Sequence, residues 1–320
     1  MRRSPNSSNQ FAGATGRRTH LEPPGGCQLL DRPPALIALR LPKRQVACRW
    51  LGQIRRATGV VGVLVTLFAV NAGAADTPAA QPVTFRAMTY NIHHGEGVDG
   101  RVDLGRIAGV IRQQQADVVA LEEVDKGVQR TARRDFPAEL AALTGLACVF
   151  SNNFHYQGGE YGNAVLTRFP VKRWTNTHLR MLRPNEQRGV LQLVLDLHGR
   201  ELLFLATHID FRRDDAERLQ NVTQFKEVLA SYPDLPVLFG GDFNDTPGSR
   251  TDLAMAALFD DAWKLAGSGD GFTIPSPKPD RRIDYLWLGK GSPLKPLRAW
   301  VPRTEASDHL PLVVEFRWDD

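Results

Sequence analysis

Five times after Phe85, an apolar run of strand composition adjoins a tight knot of polar side chains. The knots are "TYNIHHG" with Asn91, "ALEEV" with Glu122 and Glu123, "ATHID" with His208 and Asp210, "GGDFND" with Asp242 and Asn244, and "SDHLP" with Asp308 and His309. A sixth stretch, "RRIDYLWL", sets Asp284 inside the run itself. Strand ends are where a rigid sheet holds converging polar groups, so the repetition predicts one shared site rather than six unrelated loops. Singly, each knot has a plainer reading. "TH" closing a strand is a common hydrogen-bonded structural pair, "DFND" is an Asx turn, and "LEEV" is a solvated strand end.

The rest of the body is consistent with a sheet-based frame. "VTFRAMTYN", "DVVALEEV", "LACVFS" and "NAVLTRFPV" read as strands, and "GVLQLVLDL" and "ELLFLATHID" flank "HGR" as a hairpin. "LPVLFGGDFND", "RIDYLWLG", "LRAWV" and "LPLVVEFRW" add further strands. "DLGRIAGVIRQQQ" has helical spacing at Leu104, Ile107 and Ile111 behind the N-cap Asp103. "PAELAALTG" closes on Gly145, and "DDAERLQNVTQFKEVLASY" carries Leu219, Val222, Phe225 and Leu229 on one face. Roughly nine strands with three or four helices over ~240 residues predict one α/β domain spanning 82–320. With 42% hydrophobic and 23% charged residues, a sizeable core is available to it.

The net charge of +5 is not evenly spread. Residues 1–74 hold 11 Lys and Arg against two acids, and the remainder holds 29 against 33, giving +9 and −4. The body therefore offers no compositional case for a polyanion-binding surface. The leader has Arg55–Arg56, an uncharged Val/Leu-rich run from Ala57 to Val70, and small residues ending at Ala74. That run falls short of the about 20 apolar residues of a bilayer span, so 55–74 reads as a signal peptide, with a membrane anchor as its rival. Residues 1–54, rich in Pro and Arg, read either as a disordered extension or as sequence upstream of a translation start near residues 41–51. Residues 75–81 read as a linker. Only Cys148 lies in the body, so no disulfide forms within it, and export to the periplasm or beyond is the expected destination.

In order along the chain, "TYN", "LEEV", "GNAVLTR", "TH", "GDFN", "RIDY" and "SDHLP" resemble the endonuclease/exonuclease/phosphatase superfamily, from about Phe85 to Trp318. That superfamily includes pancreatic deoxyribonuclease, abasic-site endonucleases, bacterial sphingomyelinases and inositol-polyphosphate phosphatases. The resemblance implies a deoxyribonuclease-I-like four-layer α/β sandwich, two packed and mainly antiparallel sheets flanked by helices. It also implies a metal-dependent phosphate-ester hydrolase using Mg²⁺, with Mn²⁺ as a substitute. Glu123 then matches the metal ligand, Asn91 helps hold the metal site, and Asp308 is a further ligand. Asp242 matches the acid that orients or deprotonates water, and Asn244 the amide that holds phosphate. His309 matches the histidine on the scissile phosphate, Asp284 the carboxylate that fixes its tautomer, and His208 the second histidine. Asn163 matches a position near the phosphate, and Tyr161 is close enough to line the pocket. Arg130, Arg188 and His94 are candidates for substrate anchoring. Asp245 is expected to cap the turn instead. Glu122 departs from the family's Gln-Glu pair.

A non-catalytic ligand-binding module on the same scaffold is the competing class. Within the enzyme class the substrate stays open between a small phosphate ester, extracellular nucleic acid and a phospholipid. The acidic body disfavours nucleic acid, and "DYLWLG" and "LRAWV" are expected to be buried strands rather than a lipid-facing hairpin. No stable protein partner is implied.

Overall fold

The apolar runs alternate too weakly for a strand with one wet face, so they require cover on both sides. The computed structural model describes residues 82–319. In chain order these begin with β1 (Val83–Asn91), α1 (Leu104–Gln113), β2 (Val118–Lys126), α2 (Phe136–Thr144), β3 (Ala147–Tyr156) and β4 (Gly159–Thr167). They continue with β5 (Val171–His178), β6 (Gly189–Leu197), β7 (Arg200–His208), α3 (Ala216–Leu229), β8 (Val237–Asp242) and α4 (Arg250–Ala256). Last come β9 (Phe259–Asp261), α5 (Ala262–Ala266), β10 (Asp284–Gly289), β11 (Leu294–Trp300) and β12 (Leu312–Trp318). The expected extension, leader and linker, residues 1–54, 55–74 and 75–81, lie outside the described residues, as does Asp320.

Two six-stranded mixed sheets result, ordered β11-β12-β1-β2-β4-β3 and β5-β6-β7-β8-β10-β9. Among the described strands, only β1–β2 and β7–β8 pair in parallel, each pair connected through a helix; the other pairs are antiparallel. Between the sheets, Phe85, Ala87, Val118 and Ala120 share one apolar cluster with Phe204, Ala206, Leu238 and Leu286. On the outer face of the first sheet, Leu104, Ile107 and Ile111 of α1 pack on Met88, Val119 and Leu121. On the outer face of the second, Val222 and Phe225 of α3 and Met255 of α4 pack on Leu203, Phe239 and Trp287. The order helix, sheet, sheet, helix is the expected four-layer sandwich.

Local causes match the sequence reading in most places. Asp103 Oδ1 accepts from the backbone N–H groups of Gly105 (2.8 Å) and Arg106 (3.3 Å), starting α1. Gly145, at φ 74°, ends α2. His198 and Gly199 both have positive φ (57° and 92°), the backbone a two-residue hairpin needs between β6 and β7. Three readings are corrected. "NAVLTRFPV" is the end of β4, a turn and the start of β5, because Arg168–Pro170 break the run. α4, β9 and α5 escaped notice because each spans less than two helical turns or a few strand residues. "DYLWLG" is buried as expected, but "LRAWV" belongs to edge strand β11, where Leu297 is exposed.

The register brings the polar knots to one edge. Asn91 pairs with Glu122 across the parallel β1–β2 ladder, and His208 with Asp242 across β7–β8. Asp284 opens β10 opposite Asp242, and the loop carrying Asp308 and His309 leads into β12 beside the end of β1. Close approach behind this edge depends on glycine. A Cβ at Gly241 would stand 2.2 Å from the Thr207 carbonyl oxygen, and a backbone oxygen in a ladder cannot retreat. Gly241→Ala should therefore cost about 1–3 kcal/mol of stability, read as a lowered urea midpoint with the slope unchanged.

Candidate active site

Period-two alternation decides which side chains reach the site. Asn91 continues the face of Phe85 and Ala87, Glu122 that of Val118 and Ala120, and His208 that of Phe204 and Ala206. Asp242 continues the face of Leu238, and Asp284 that of Leu286 and Leu288. The site is the end of the inter-sheet core, where facing apolar positions become ionisable. One bulge alters this pattern. The register of β2 against β4 shifts between Leu121 and Val124, with Glu123 at φ 60°. A bulge re-aims a side chain. Consecutive acids thus part ways: Glu123 lines the cleft, while Glu122 is 0% exposed.

Asp242 is the junction of the site. Its Oδ2 accepts from Asn91 Nδ2 (3.1 Å) and lies 3.5 Å from His208 Nε2 and 3.8 Å from His309 Nε2. Its Oδ1 accepts from the backbone N–H of Asn244 (2.8 Å), an Asx turn with Asn244 at φ 48°. The plain reading of "DFND" as an Asx turn therefore holds, and Asp242 and Asn244 also line the cleft. Burial, then the charge of Asp284, pushes the Asp242 carboxyl up to about 7.

The two histidines are set in opposite states. Asn244 Nδ2 donates to the Ile209 carbonyl (3.1 Å), which fixes the amide's orientation, so the same group's 2.9 Å contact makes His208 Nε2 an acceptor. Burial, with the Arg188 charge next, holds this imidazole well below its usual pKa. His309 is also buried, which lowers its proton affinity, but the charge and hydrogen bond of Asp284 prevail and raise it to about 10. Its Nδ1 lies 3.0 Å from Asp284 Oδ2 and 3.2 Å from Oδ1. A neutral acceptor and a cation thus flank one carboxylate.

One cleft of about 300 Å³ is lined by Glu123, Asp242, Asn244, His208 and His309, together with Tyr161, Arg130 and Arg188. Asp284 stands behind His309 and is fully buried. Other expectations are revised. Asn163 is 1% exposed and donates to the Gly189 carbonyl (3.2 Å), so it clamps β4 to β6 rather than lining the cleft. Asp308 faces His93 Nδ1 at 3.8 Å and accepts from Ser307 Oγ, outside the cleft lining. His94 sits between Glu96 (3.4 Å) and Glu123 (4.0 Å), outside the cleft lining. Asp245 pairs with Arg218 (3.1 Å), as a turn residue. Asp210 is engaged by Arg212 (2.8 Å) and Asn185 (3.0 Å). Sequence reasoning passed over Phe154, Tyr156, Phe211, Ile274 and Ile283 in the cleft wall; the signal was a ring directly after "THID" and two rings at the end of β3.

The donor set fits a hard divalent cation through Glu123. Its carboxyl lies below the usual range: burial pushes it up, but hydrogen bonding to His94 and the Asn91 amide and the charge of His309 outweigh that. It is therefore an anion facing a cleft roomy enough to keep waters on an ion, as Mg²⁺ demands. Asn91 does not turn its oxygen to such an ion. Its Oδ1 accepts from the His93 N–H (3.0 Å), and its Nδ2 donates to Glu123 Oε1 and Asp242 Oδ2 (3.1 Å each). Asp242, Asp284 and His309 also bring donor atoms within 4.8 Å of one another. With Asp284 committed to His309 and shut off from solvent, that trio is a hydrogen-bonded dyad beside an acid, not a chelate.

Residues 88–309 match the model of the Endonuclease/Exonuclease/phosphatase family, and the chain belongs to it. It is 29% identical to Uncharacterized protein YbhP of Escherichia coli strain K12, over 74% of this chain and 97% of that one. It is 26% identical to the 5'-tyrosyl-DNA phosphodiesterase of Caenorhabditis elegans, over 72% of this chain and 62% of that one. The solved endonuclease/exonuclease/phosphatase from Beutenbergia cavernae superposes with a TM-score of 0.62 at 28% identity, covering 74% of this chain and 72% of that one. The deoxyribonuclease-I-like fold is thereby shown, and the family consists typically of phosphoesterases.

Glu122 gives a pH test. Its Oε1 accepts from Thr89 Oγ1 (3.2 Å), its Oε2 has no partner, and burial, followed by the charges of Asp284 and Asp242, raises its carboxyl well above the usual range. Above about pH 4.3 the unfolded chain releases this proton while the folded chain keeps it, so stability falls as pH rises. Glu122→Gln removes the effect. From about pH 5 to about pH 8 in chelator, above the usual carboxyl range, the variant's Tm should decline less than the wild type's.

Proposed function

We propose that this protein hydrolyses phosphate esters with the help of a divalent cation, by in-line attack of a water held at Asp242. The observation that carries the reading is the position of Asp242, whose Oδ2 lies within 3.8 Å of an amide and two imidazoles in opposite protonation states. A carboxylate tuned near neutral pH is an effective proton acceptor for an attacking water. The Asn244 amide donates to neutral His208 and to the Ile209 carbonyl, which fixes both side chains in the cleft wall beside Asp242. His309, held as a cation by Asp284, offsets charge that builds on the equatorial oxygens. Mg²⁺ or Mn²⁺ held through Glu123 would supply further charge neutralisation at the leaving oxygen. Asn91 fixes the spacing of Glu123 and Asp242 by donating to both.

A short phosphodiester is favoured over an extended nucleic acid backbone. The similar worm protein is a 5'-tyrosyl-DNA phosphodiesterase, and the body beyond Ala74 carries net −4, unlike proteins that track long phosphate backbones. Asp242→Asn and His309→Ala should each lower turnover of bis(4-nitrophenyl) phosphate by about 10²–10⁴-fold. Chelation should abolish turnover and added Mg²⁺ or Mn²⁺ restore it. Unchanged rates in both variants would refute the proposal.

A further inference from the structure

The cleft beside the polar groups has an aromatic wall. Phe154 lies 5.0 Å from Tyr161 and 6.2 Å from Tyr156, centroid to centroid, and all three line the cleft. The guanidinium of Arg130 lies 5.0 Å over Tyr156 and 5.4 Å over Tyr161. Phe211 also lines the cleft, under the Arg188 guanidinium at 5.8 Å, together with Ile274 and Ile283. Tyr156 is 37% and Phe211 55% exposed, so two large rings open to solvent belong to the same cleft. Scattered exposed apolar groups are ordinary, but rings gathered in a concave site mark a ligand surface.

The cations of this wall are already committed. Arg130 makes a bidentate pair with fully buried Asp125, at 2.8 Å on both arms. Arg188 pairs with Glu186 at 2.9 Å. Paired in this way, they stiffen the aromatic faces and leave little charge for a second phosphate. A polyphosphorylated alcohol therefore finds little counter-charge in this wall, whereas a flat ring meets the exposed rings of Tyr156 and Phe211.

We propose that the substrate is a singly charged phosphate ester carrying a flat aromatic ring next to the phosphate, and that Phe211 and Tyr156 select that ring. The proposal rests on the phosphate-ester reading above. It is tested with two matched pairs of diesters: thymidylyl-thymidine against its analogue lacking one base, and benzyl methyl phosphate against cyclohexylmethyl methyl phosphate. The first pair probes a nucleobase and the second an aryl group. Within at least one pair, the ring-bearing member should show a KM about tenfold lower, the scale of one stacking contact. Phe211→Ala and Tyr156→Ala should move that ratio towards one, and thermal melts of both variants check that they fold. Equal KM within both pairs, or a ratio unmoved in both variants, would overturn the proposal. The same pairs are titrated calorimetrically against the Asp242→Asn protein, where ring preference is read without turnover. Ring preference in binding with no hydrolysis by the wild type would fault only the hydrolase reading; hydrolysis without ring preference would fault only this one.

Discussion

One side-chain amide ties the two sheets together where the chemistry sits. Asn91 belongs to the first sheet, and its amino group donates at once to Glu123 of the same sheet and Asp242 of the other. Its oxygen is fixed by the His93 N–H, so the amide cannot rotate away. Spacing between the acid that would hold a cation and the acid that would activate water is therefore set by one rigid group at the end of a strand. Stiff placement matters because small errors in such geometry cost large factors in rate.

Around that amide the chain gathers more buried acids than a stable protein needs. Glu122, Asp242 and Asp284 are each 1% exposed or less, and only Asp284 has a full cationic partner, His309. Burying ionisable groups together raises proton affinities and lowers stability, unless each is hydrogen-bonded. The rest of the fold offsets this with a continuous inter-sheet core and with the two helix layers outside it. Strain and crowding of this kind cluster where a site needs them.

Most of the frame was legible because it rests on periodicity and on end signals. Asp103, Gly145 and the turn at His198–Gly199 each act within a few residues of their own position, so sequence alone reveals them. The convergence of Asp242, His208, His309 and Glu123 was legible from the order of the polar knots. What escaped depended on partners far along the chain. Asn163 suits a phosphate or a carbonyl equally, and only the nearness of Gly189 decides. Glu122 and Glu123 are interchangeable by type; the bulge that separates them lies in how β2 meets β4. Exposure of Phe211 likewise follows from the loops around it, and a ring after a strand usually means core.

The two parallel strand pairs, β1–β2 and β7–β8, supply Glu123 and the Asp242–His208 couple respectively, while Asp284 opens β10 and His309 precedes β12. Neither βαβ unit alone possesses both a carboxylate free to bind a cation and the Asp242–histidine arrangement. The full set of these groups thus comes together only when the halves dock, and a nascent or partly melted chain lacks it. Tertiary assembly is, in effect, what writes the site into the protein.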